Sequence, residues 1–194
     1  KSFPDGESLV KLETSPEGKV LVIISSLAKE PNKKLIETIL AAGIGKDQKA
    51  KRVILIATYL PYMRQDKQFN PHDSISAKQI LRMLSNSFDQ IYTIDPHLHR
   101  IKALHLVAGN ARSITMNNLI ADHIKKNFGK DYTIVGPDKE SFQWAKKIAH
   151  ITENKVCILK KKRFSAIKVR IKEEPLGEKI IIIDDIISTG RTIL

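Results

Sequence analysis

Two adjacent carboxylates near the end of the chain, Asp184 and Asp185, follow four consecutive isoleucines. The next residues form a run of small and hydroxyl-bearing side chains, namely Ser188, Thr189, Gly190, Arg191 and Thr192. Such a run, at a turn from a strand into a helix, lets backbone N–H and hydroxyl groups surround a phosphate. Carboxylates beside it can accept hydrogen bonds from sugar hydroxyl groups. The pattern therefore favours a sugar-phosphate site, and a strand followed by an Asp-capped or Ser-capped helix is the alternative.

Acidic residues end three of the apolar runs that we interpret as strands. Asp95, Asp138 and Asp184 each fall at the carboxyl end of such a run. Because open α/β sheets bind ligands beyond the carboxyl ends of their strands, we expect these acids to mark a ligand face. His97, two residues after Asp95, could coordinate Mg²⁺, although Mg²⁺ prefers oxygen ligands. A solvated or hydrogen-bonded loop histidine is the alternative interpretation of His97.

Two further segments carry groups that suit anions. In "YMRQDK" (residues 62–67), which follows an apolar run, Arg64 can pair with a polyphosphate and Gln65 can hydrogen-bond a nucleotide. The segment "LKKKRFSAIKVRI" (residues 159–171) is rich in cations, which phosphoryl-group transfer uses to neutralise charge on the transferring and leaving oxygens. The alternative for residues 62–67 is a charged loop without a partner. The alternative for residues 159–171 is a strand face exposed to solvent.

The composition narrows the class of partner. The excess of Lys plus Arg over Asp plus Glu is 33 − 21 = +12, so we expect an anionic partner. Nucleic acid is not expected, because the longest basic run, residues 160–163, lacks interleaved aromatic residues. The single cysteine, Cys157, lies between apolar neighbours, which predicts a buried strand position and suits a reducing cytoplasm. No apolar stretch approaches the roughly 20 residues that cross a membrane, so we expect no membrane partner and a cytoplasmic protein.

Strand-like and helix-like runs alternate along the chain, which predicts an α/β fold with parallel sheets covered by helices. The predicted strands are residues 19–26, 52–60, 90–95, 131–138, 155–163, 167–172 and 179–185, and the predicted helices are residues 32–43, 74–88, 116–129 and 140–151. The two short basic strands are expected to pair as a hairpin. Because the alternation pauses between about residues 99 and 113, we predict two domains, residues 1–113 and 114–194.

Four motifs together resemble the ribose-phosphate pyrophosphokinase family, also called phosphoribosyl diphosphate synthetases. They are "FPDGE" (residues 3–7), "YMRQDK" (residues 62–67), "IDPHLH" (residues 94–99) and "IIDDIISTGRT" (residues 182–192). The resemblance covers almost the whole chain. It implies two phosphoribosyltransferase-like domains, the first on the ATP side and the second on the ribose 5-phosphate side, with a β-hairpin flap in the second. Compared with the family, the chain lacks the first strand and helix and ends just inside the helix after the last motif.

The resemblance also implies roles for individual residues. The implied ATP contacts are Phe3, Asp5, Glu7, Arg64, Gln65, Asp66 and His97. The implied metal-associated positions are His97 and Asp138, supported by Asp95. The implied ribose 5-phosphate contacts are Asp184, Asp185, Ser188, Thr189, Gly190, Arg191 and Thr192, together with Arg163. Lys161 and Arg163 match the family's catalytic Lys-x-Arg pair on the flap, with Lys160 and Lys162 as the alternative lysines.

The implied reaction transfers the diphosphoryl group of Mg-ATP to the anomeric hydroxyl group of ribose 5-phosphate, and yields 5-phosphoribosyl 1-diphosphate and AMP. It requires Mg²⁺ and, because "FPDGE" reaches a neighbouring subunit in the family, a homo-oligomer of at least two chains. Arg191 stands where the family typically has glycine, which favours a non-catalytic regulatory paralogue, whereas Lys161, Arg163 and His97 favour catalysis. A phosphoribosyltransferase is a further alternative, but it has no evident use for the first three motifs.

Overall fold

The computed structural model of the protein describes residues 1–163, 169–172 and 178–187. The chain divides into two compact units, Lys1–Ile114 and Thr115–Leu194. The first unit contains β1 (Val20–Ser26), α1 (Pro31–Asp47), β2 (Arg52–Tyr59), α2 (Ser76–Ser87), β3 (Gln90–Ile94), a 3-10 helix (Leu104–Leu106) and β4 (Ala111–Ile114). The second contains α3 (Asn117–Asn127), β5 (Thr133–Gly136), α4 (Phe142–Thr152), β6 (Lys155–Ile158), β7 (Lys160–Arg163), β8 (Val169–Lys172) and β9 (Ile180–Ile182).

The first unit is built on a four-stranded parallel sheet in the order β1-β2-β3-β4. One face of this sheet is covered by α1 and α2. The apolar alternation of the strands supplies that face with Leu55 and Ile91, which pack with Leu81 of α2 in a core where all three are fully buried. Because β2 and β3 pair in parallel, their carboxyl ends lie side by side. The loops that follow them are therefore neighbours.

The opposite face of the same sheet is open. Val20, Val22 and Ile24 of β1 point to it in alternation and are 48%, 45% and 68% exposed. The cross-strand partners of Val22 and Ile24 on β2 are Ile54 and Ile56, which are half-buried. Parallel strands are usually covered on both faces, so this exposed apolar surface departs from the ordinary pattern.

The second unit contains a three-stranded parallel sheet in the order β6-β5-β9. The central strand β5 is buried at every position, and Ile134 packs against Ile148 of α4. Gly136 at the end of β5 permits this close packing, since a Cβ atom there would lie 2.8 Å from the Cα of Phe142. The strands β7 and β8 form a separate antiparallel pair, with Lys161 opposite Ile171 and Arg163 opposite Val169.

The predicted α/β class with parallel sheets flanked by helices is confirmed, and Cys157 is buried on a strand as expected. Two strand assignments differ from the prediction. The strand β4 was not predicted, because it is too short to show a period. Residues 155–163 are two strands, because β6 pairs with β5 as far as Ile158 and β7 pairs with β8 from Lys160.

The pairing of the two basic strands is seen in β7 and β8, whereas their use as a flap stays a prediction. The separate ligand roles of the two predicted domains also stay predictions. Within the residues that the structure describes, no helix has the length and apolar character needed to cross a membrane.

Candidate functional site

The acidic ends of two neighbouring strands meet at one edge of the second unit's sheet. Strand β9 pairs in parallel with β5, with Ile182 opposite Val135, and the Ile183 N–H donates to the Val135 carbonyl group at 2.9 Å. Asp138 follows β5 and Asp184 follows β9, so parallel pairing brings the two acids to the same end of the sheet. The negative charge of Asp138 is felt at Asp184, where it raises the pKa of that carboxyl group.

The surroundings of Asp184 disfavour its charged form and raise its pKa. Burial, a hydrogen bond with the Asp185 side chain and repulsion by Asp185 and Asp138 together raise the pKa of Asp184 to about 6. The Asp185 backbone N–H donates to Asp184 Oδ1 at 3.0 Å and opposes this shift. Near neutral pH the carboxylate form of Asp184 prevails, but burial and the neighbouring acids destabilise it. A ligand that donates hydrogen bonds to Asp184 or carries positive charge is therefore favoured at this position.

Asp138 is fixed by the start of the next helix. The backbone N–H and the hydroxyl group of Ser141 both donate to Asp138 Oδ1 at 2.9 Å, and Ser141 is fully buried. This turn joins β5 to α4 and sets the direction of the Asp138 carboxyl group. Sequence reasoning did not include Ser141 in the site. The signal was present, because Asp followed three residues later by Ser is typical of a hydrogen-bonded turn.

In the first unit, the loop after β2 presents Arg64 and Gln65 to solvent. They lie between two buried residues, Met63 and Asp66, which are 2% and 6% exposed. The loop is also joined to α2, since the Ser76 hydroxyl group donates to Gln65 Oε1 at 2.7 Å. Arg64 is thus exposed on a short turn whose two ends are fixed by buried side chains.

Asp66 takes part in an ion pair that the sequence did not reveal. Arg100 donates to it twice, from the backbone N–H to Oδ2 at 3.0 Å and from Nη1 to Oδ1 at 2.8 Å. The Asp66 side chain is 1% exposed and the Arg100 side chain is 45% exposed. The carboxylate therefore faces Arg100, and direct contact between Asp66 and ATP stays a prediction. Arg100 had no motif to mark it, because its partner lies 34 residues away.

The loop after β3 carries Asp95 and His97. Asp95 has a positive φ of 33°, and its N–H donates to the Ile114 carbonyl group at 2.9 Å. His97 is half-buried and its ring stacks on that of His99, with 5.9 Å between the ring centroids. A ligand-binding role for this loop stays a prediction, because positive φ is shared by other non-glycine residues, such as Tyr62 and Glu153.

"FPDGE" forms a tight hairpin at the amino terminus. The Phe3 N–H donates to the Glu7 carbonyl group at 2.8 Å, and the Glu7 N–H donates to Asp5 Oδ1 at 3.1 Å. Gly6 has a φ of 94°, which side chains rarely allow. The Phe3 ring is 40% exposed, so the hairpin displays an aromatic side chain beside two acids.

The hairpin is tied to α1. The Ser8 hydroxyl group donates to Glu37 Oε1 at 2.8 Å, and Lys33 Nζ donates to the Ser2 hydroxyl group at 2.8 Å. A cavity of about 550 Å³ opens between the hairpin and α1. It is lined by Gly6, Glu7, Ser8, Asn32, Lys33, Ile36 and Leu40.

The donors expected to hold Mg²⁺ do not form a cluster of three or more in the part of the chain that the structure describes. Asp95 and Asp138 nevertheless offer the oxygen ligands that Mg²⁺ prefers. Mg²⁺ commonly uses only one or two carboxylates and completes its shell with phosphate groups and water, so each of these residues by itself is a suitable ligand. Lys161 and Arg163 lie on β7, and the loop residues Ser188 to Thr192 lie outside the described residues.

Comparison with known proteins covers both units. Residues 1–87 match the N-terminal domain of ribose phosphate pyrophosphokinase, and residues 103–194 match the phosphoribosyl transferase domain. The ribose-phosphate pyrophosphokinase of Pyrococcus abyssi is 32% identical over all of this chain and 67% of its own length. That of Saccharolobus solfataricus is 34% identical over all of this chain and 68% of its own.

A solved structure shows the same likeness. The crystal structure of phosphoribosylpyrophosphate synthetase from Mycobacterium smegmatis matches with a TM-score of 0.85 and 25% identity, over all of this chain and 64% of that chain. The chain thus spans about two thirds of the length of the relatives that it matches. With both of its units matched in this way, the chain belongs to the ribose-phosphate pyrophosphokinase family.

Proposed function

We propose that the chain transfers the diphosphoryl group of Mg-ATP to the anomeric hydroxyl group of ribose 5-phosphate, giving 5-phosphoribosyl 1-diphosphate and AMP. The observation that carries the proposal is the meeting of Asp138, Asp184 and Asp185 at one edge of the β6-β5-β9 sheet. A raised pKa at Asp184 fits a site that receives the hydroxyl groups of a sugar. Family membership supplies the reaction class.

The second unit is proposed to bind ribose 5-phosphate. Asp184 and Asp185 would accept hydrogen bonds from two ribose hydroxyl groups, which would relieve the repulsion between the carboxylates. The loop that follows would enclose the 5-phosphate through backbone N–H and hydroxyl groups. The residues of this loop are Ser188, Thr189, Gly190, Arg191 and Thr192. The Arg163 guanidinium would add positive charge for the same phosphate.

The first unit is proposed to bind ATP. Arg64 is exposed and would pair with the polyphosphate, while Gln65 would hydrogen-bond the nucleotide. Phe3 would stack on the adenine ring of an ATP molecule that is bound to a neighbouring subunit, with Asp5 and Glu7 beside it. The active form is therefore a homo-oligomer of at least two chains, and the expected compartment is the cytoplasm.

Mg²⁺ is the proposed cofactor. Asp138 and His97 would hold it, with Asp95 in support, and phosphate oxygens and water would complete its shell. Bound Mg²⁺ supplies charge neutralisation between phosphate groups. The chain's own contribution is to orient these donors, and the Ser141 hydroxyl group does so for Asp138.

The reaction needs no covalent enzyme intermediate. The anomeric oxygen attacks the β-phosphorus in line, its bond to phosphorus forms, and the bond from the β-phosphorus to the α,β-bridging oxygen breaks. The hydroxyl proton passes to solvent, and AMP leaves with the bridging oxygen and its negative charge. Lys161 and Arg163 would stabilise charge on the transferring and leaving oxygens, so positioning and electrostatics provide most of the acceleration.

A coupled assay for AMP release tests the proposal. AMP should appear only when Mg-ATP and ribose 5-phosphate are both present, in equal amount to 5-phosphoribosyl 1-diphosphate. Ribose without its phosphate is the control, and it should give no AMP above background. AMP release at the same rate without ribose 5-phosphate would identify an ATP-cleaving activity of another kind.

Arg191 favours a second candidate, a non-catalytic paralogue that binds nucleotides and regulates a partner enzyme. It stands where the family typically has glycine, and a side chain at this position would obstruct close backbone approach to a phosphate. Calorimetric titration with ATP and with ribose 5-phosphate, run beside the turnover assay, separates the two functions. Binding of both ligands without turnover, together with turnover in the Arg191→Gly variant, supports the regulator.

A further inference from the structure

The strongest unassigned feature is the ion pair between Asp66 and Arg100. Both carboxylate oxygens of Asp66 accept hydrogen bonds from this single residue, one from its main chain and one from its guanidinium. The Asp66 side chain is 1% exposed, so in the folded protein Arg100 rather than bulk water balances its charge. A buried carboxylate without a partner is strongly unfavourable. The position of Asp66 therefore depends on Arg100.

Asp66 in turn determines where Arg64 and Gln65 stand. These two residues form the exposed turn of the loop, and the buried side chains of Met63 and Asp66 anchor its two ends. The Met63 anchor is apolar and the Asp66 anchor is ionic. Release of the ionic anchor would free the end of the loop that follows Gln65.

Arg100 belongs to the loop that carries His97. This second loop is anchored by Ile101, which is 8% exposed, and by Leu98, which packs against the core of the first unit. One of the two donors to Asp66 is the Arg100 backbone N–H. Asp66 therefore binds the main chain of this loop as well as the Arg100 side chain. Because β2 and β3 are neighbours in the sheet, the ion pair joins the two loops that follow them.

We infer that Arg100 is a positioning residue for the nucleotide. It holds Asp66 and thereby fixes the loop of Arg64 relative to the loop of His97. The inference rests on the proposed ATP site and assigns Asp66 to the support of that site. Arg100 has an electrostatic effect as well. Its guanidinium neutralises Asp66, so an incoming polyphosphate meets no uncompensated negative charge beside Arg64.

Replacement of Arg100 tests the inference. Arg100→Ala removes the guanidinium and leaves the charge of Asp66 with only the backbone N–H as a partner, so it should raise KM for Mg-ATP on the order of tenfold. The KM for ribose 5-phosphate should stay within about twofold, because its proposed site is in the second unit. Arg100→Lys keeps a positive charge beside Asp66, which Arg100→Ala lacks, so it should recover part of the loss. Arg82→Ala is the matched control, since Arg82 is an exposed arginine on α2.

A double variant distinguishes positioning from a general loss of stability. In Asp66→Asn with Arg100→Ala, the amide oxygen can still accept the backbone N–H and no unpaired charge remains. KM for Mg-ATP should therefore fall back toward the wild-type value, although the arginine is still missing. A merely structural role predicts equal changes in both KM values, whereas positioning confines both the change and its recovery to KM for Mg-ATP.

Amide hydrogen exchange provides a readout that does not need turnover. Arg100→Ala should speed exchange at residues 62–67 and 95–101 together and leave β1 unchanged. Unaltered exchange at residues 62–67 would overturn the inference, whatever the assay gives. If the wild-type chain releases no AMP, the proposed reaction fails, and the dissociation constant for Mg-ATP then replaces KM. An unchanged dissociation constant in Arg100→Ala would also overturn the inference.

Discussion

At the scale of single residues, Asp184 shows how a local environment prepares a site for its ligand. Its pKa is raised to about 6 by burial first, and then by the hydrogen bond with and repulsion from Asp185 and the repulsion from Asp138. An acid whose pKa is raised in the folded state stabilises the fold when it is protonated. That contribution is present below the ordinary aspartate value of about 3.9 and is lost as the pH rises through about 6.

Asp184→Asn should therefore stabilise the free protein at neutral pH. The variant removes a charge that the folded state disfavours, so its thermal midpoint should exceed that of the wild type at pH 7.5, and the two should converge near pH 4. Thermal unfolding followed by circular dichroism from pH 4 to 8 measures this. Asp131→Asn, at an exposed position of the same unit, is the control. A wild-type advantage at pH 7.5 would contradict the raised pKa.

The basic strand β7 contains three adjacent lysines, and replacing each in turn tests which of them acts in the proposed reaction. Lys161→Ala should lower kcat by about 10² to 10³, because it removes positive charge that acts on the transition state. The dissociation constant for Mg-ATP should change little. Lys160→Ala and Lys162→Ala are the controls and should retain most of the activity. An equal loss of kcat and affinity in Lys161→Ala would count against its assigned role.

At the scale of elements, the contact between β5 and α4 positions Asp138. Gly136 ends the strand, Asp138 forms the turn and Ser141 leads into the helix. The helix passes so close to the strand end that a Cβ atom at position 136 would meet backbone atoms of Phe142, at 2.8 Å from Cα and 2.9 Å from N. Backbone atoms cannot give way as a flexible side chain can, so the geometry of the acidic edge depends on glycine.

Gly136→Ala should lower the free energy of unfolding of the second unit by about 1–3 kcal/mol, because overpacking forces α4 away from β5. Gly43→Ala is the matched control. Gly43 lies inside α1 with no atom within 4 Å of the added Cβ, so alanine should stabilise the first unit by about 0.5–1 kcal/mol. Urea denaturation of each variant gives both values. A stabilised Gly136→Ala protein would refute the close approach.

At the scale of the whole molecule, the chain exposes a broad apolar surface on the uncovered face of the first sheet. Val20, Val22 and Ile24 are 48%, 45% and 68% exposed on this face. Contiguous apolar surface of this kind binds hydrophobic dyes and lowers solubility, in contrast to single exposed apolar side chains. A net charge of +12 opposes self-association of the chain.

The paired change Val22→Lys and Ile24→Lys should remove most of the binding of the dye 8-anilinonaphthalene-1-sulfonate. Both positions face away from the buried core, so the fold should survive the two charges. Fluorescence titration with the dye measures the effect, with circular dichroism as the check on folding. Leu119→Lys, at a position on α3 that is 61% exposed, is the control for an isolated apolar residue. Equal dye binding by all three proteins would contradict an accessible sheet face.

Much of the fold followed from local patterns. Periods of two and of about 3.6 predicted the strands that became β1, β2, β3, β5 and β9 and all four helices, with ends shifted by a few residues. Gly129 was a good marker for the end of α3, since it takes a φ of 78° just after the helix. The strand β4 escaped detection, because four residues of which three are exposed carry no clear period.

The sequence by itself determined the α/β class, the family and the positions of the acids at strand ends, because periodicity and motif spacing depend only on neighbours along the chain. Only the tertiary structure decided that β9 pairs with β5, which brings Asp138 and Asp184 to one edge. It also decided that Asp66 faces Arg100, 34 residues away. Strand order and buried ion pairs depend on contacts between distant segments, and these form only when the chain packs.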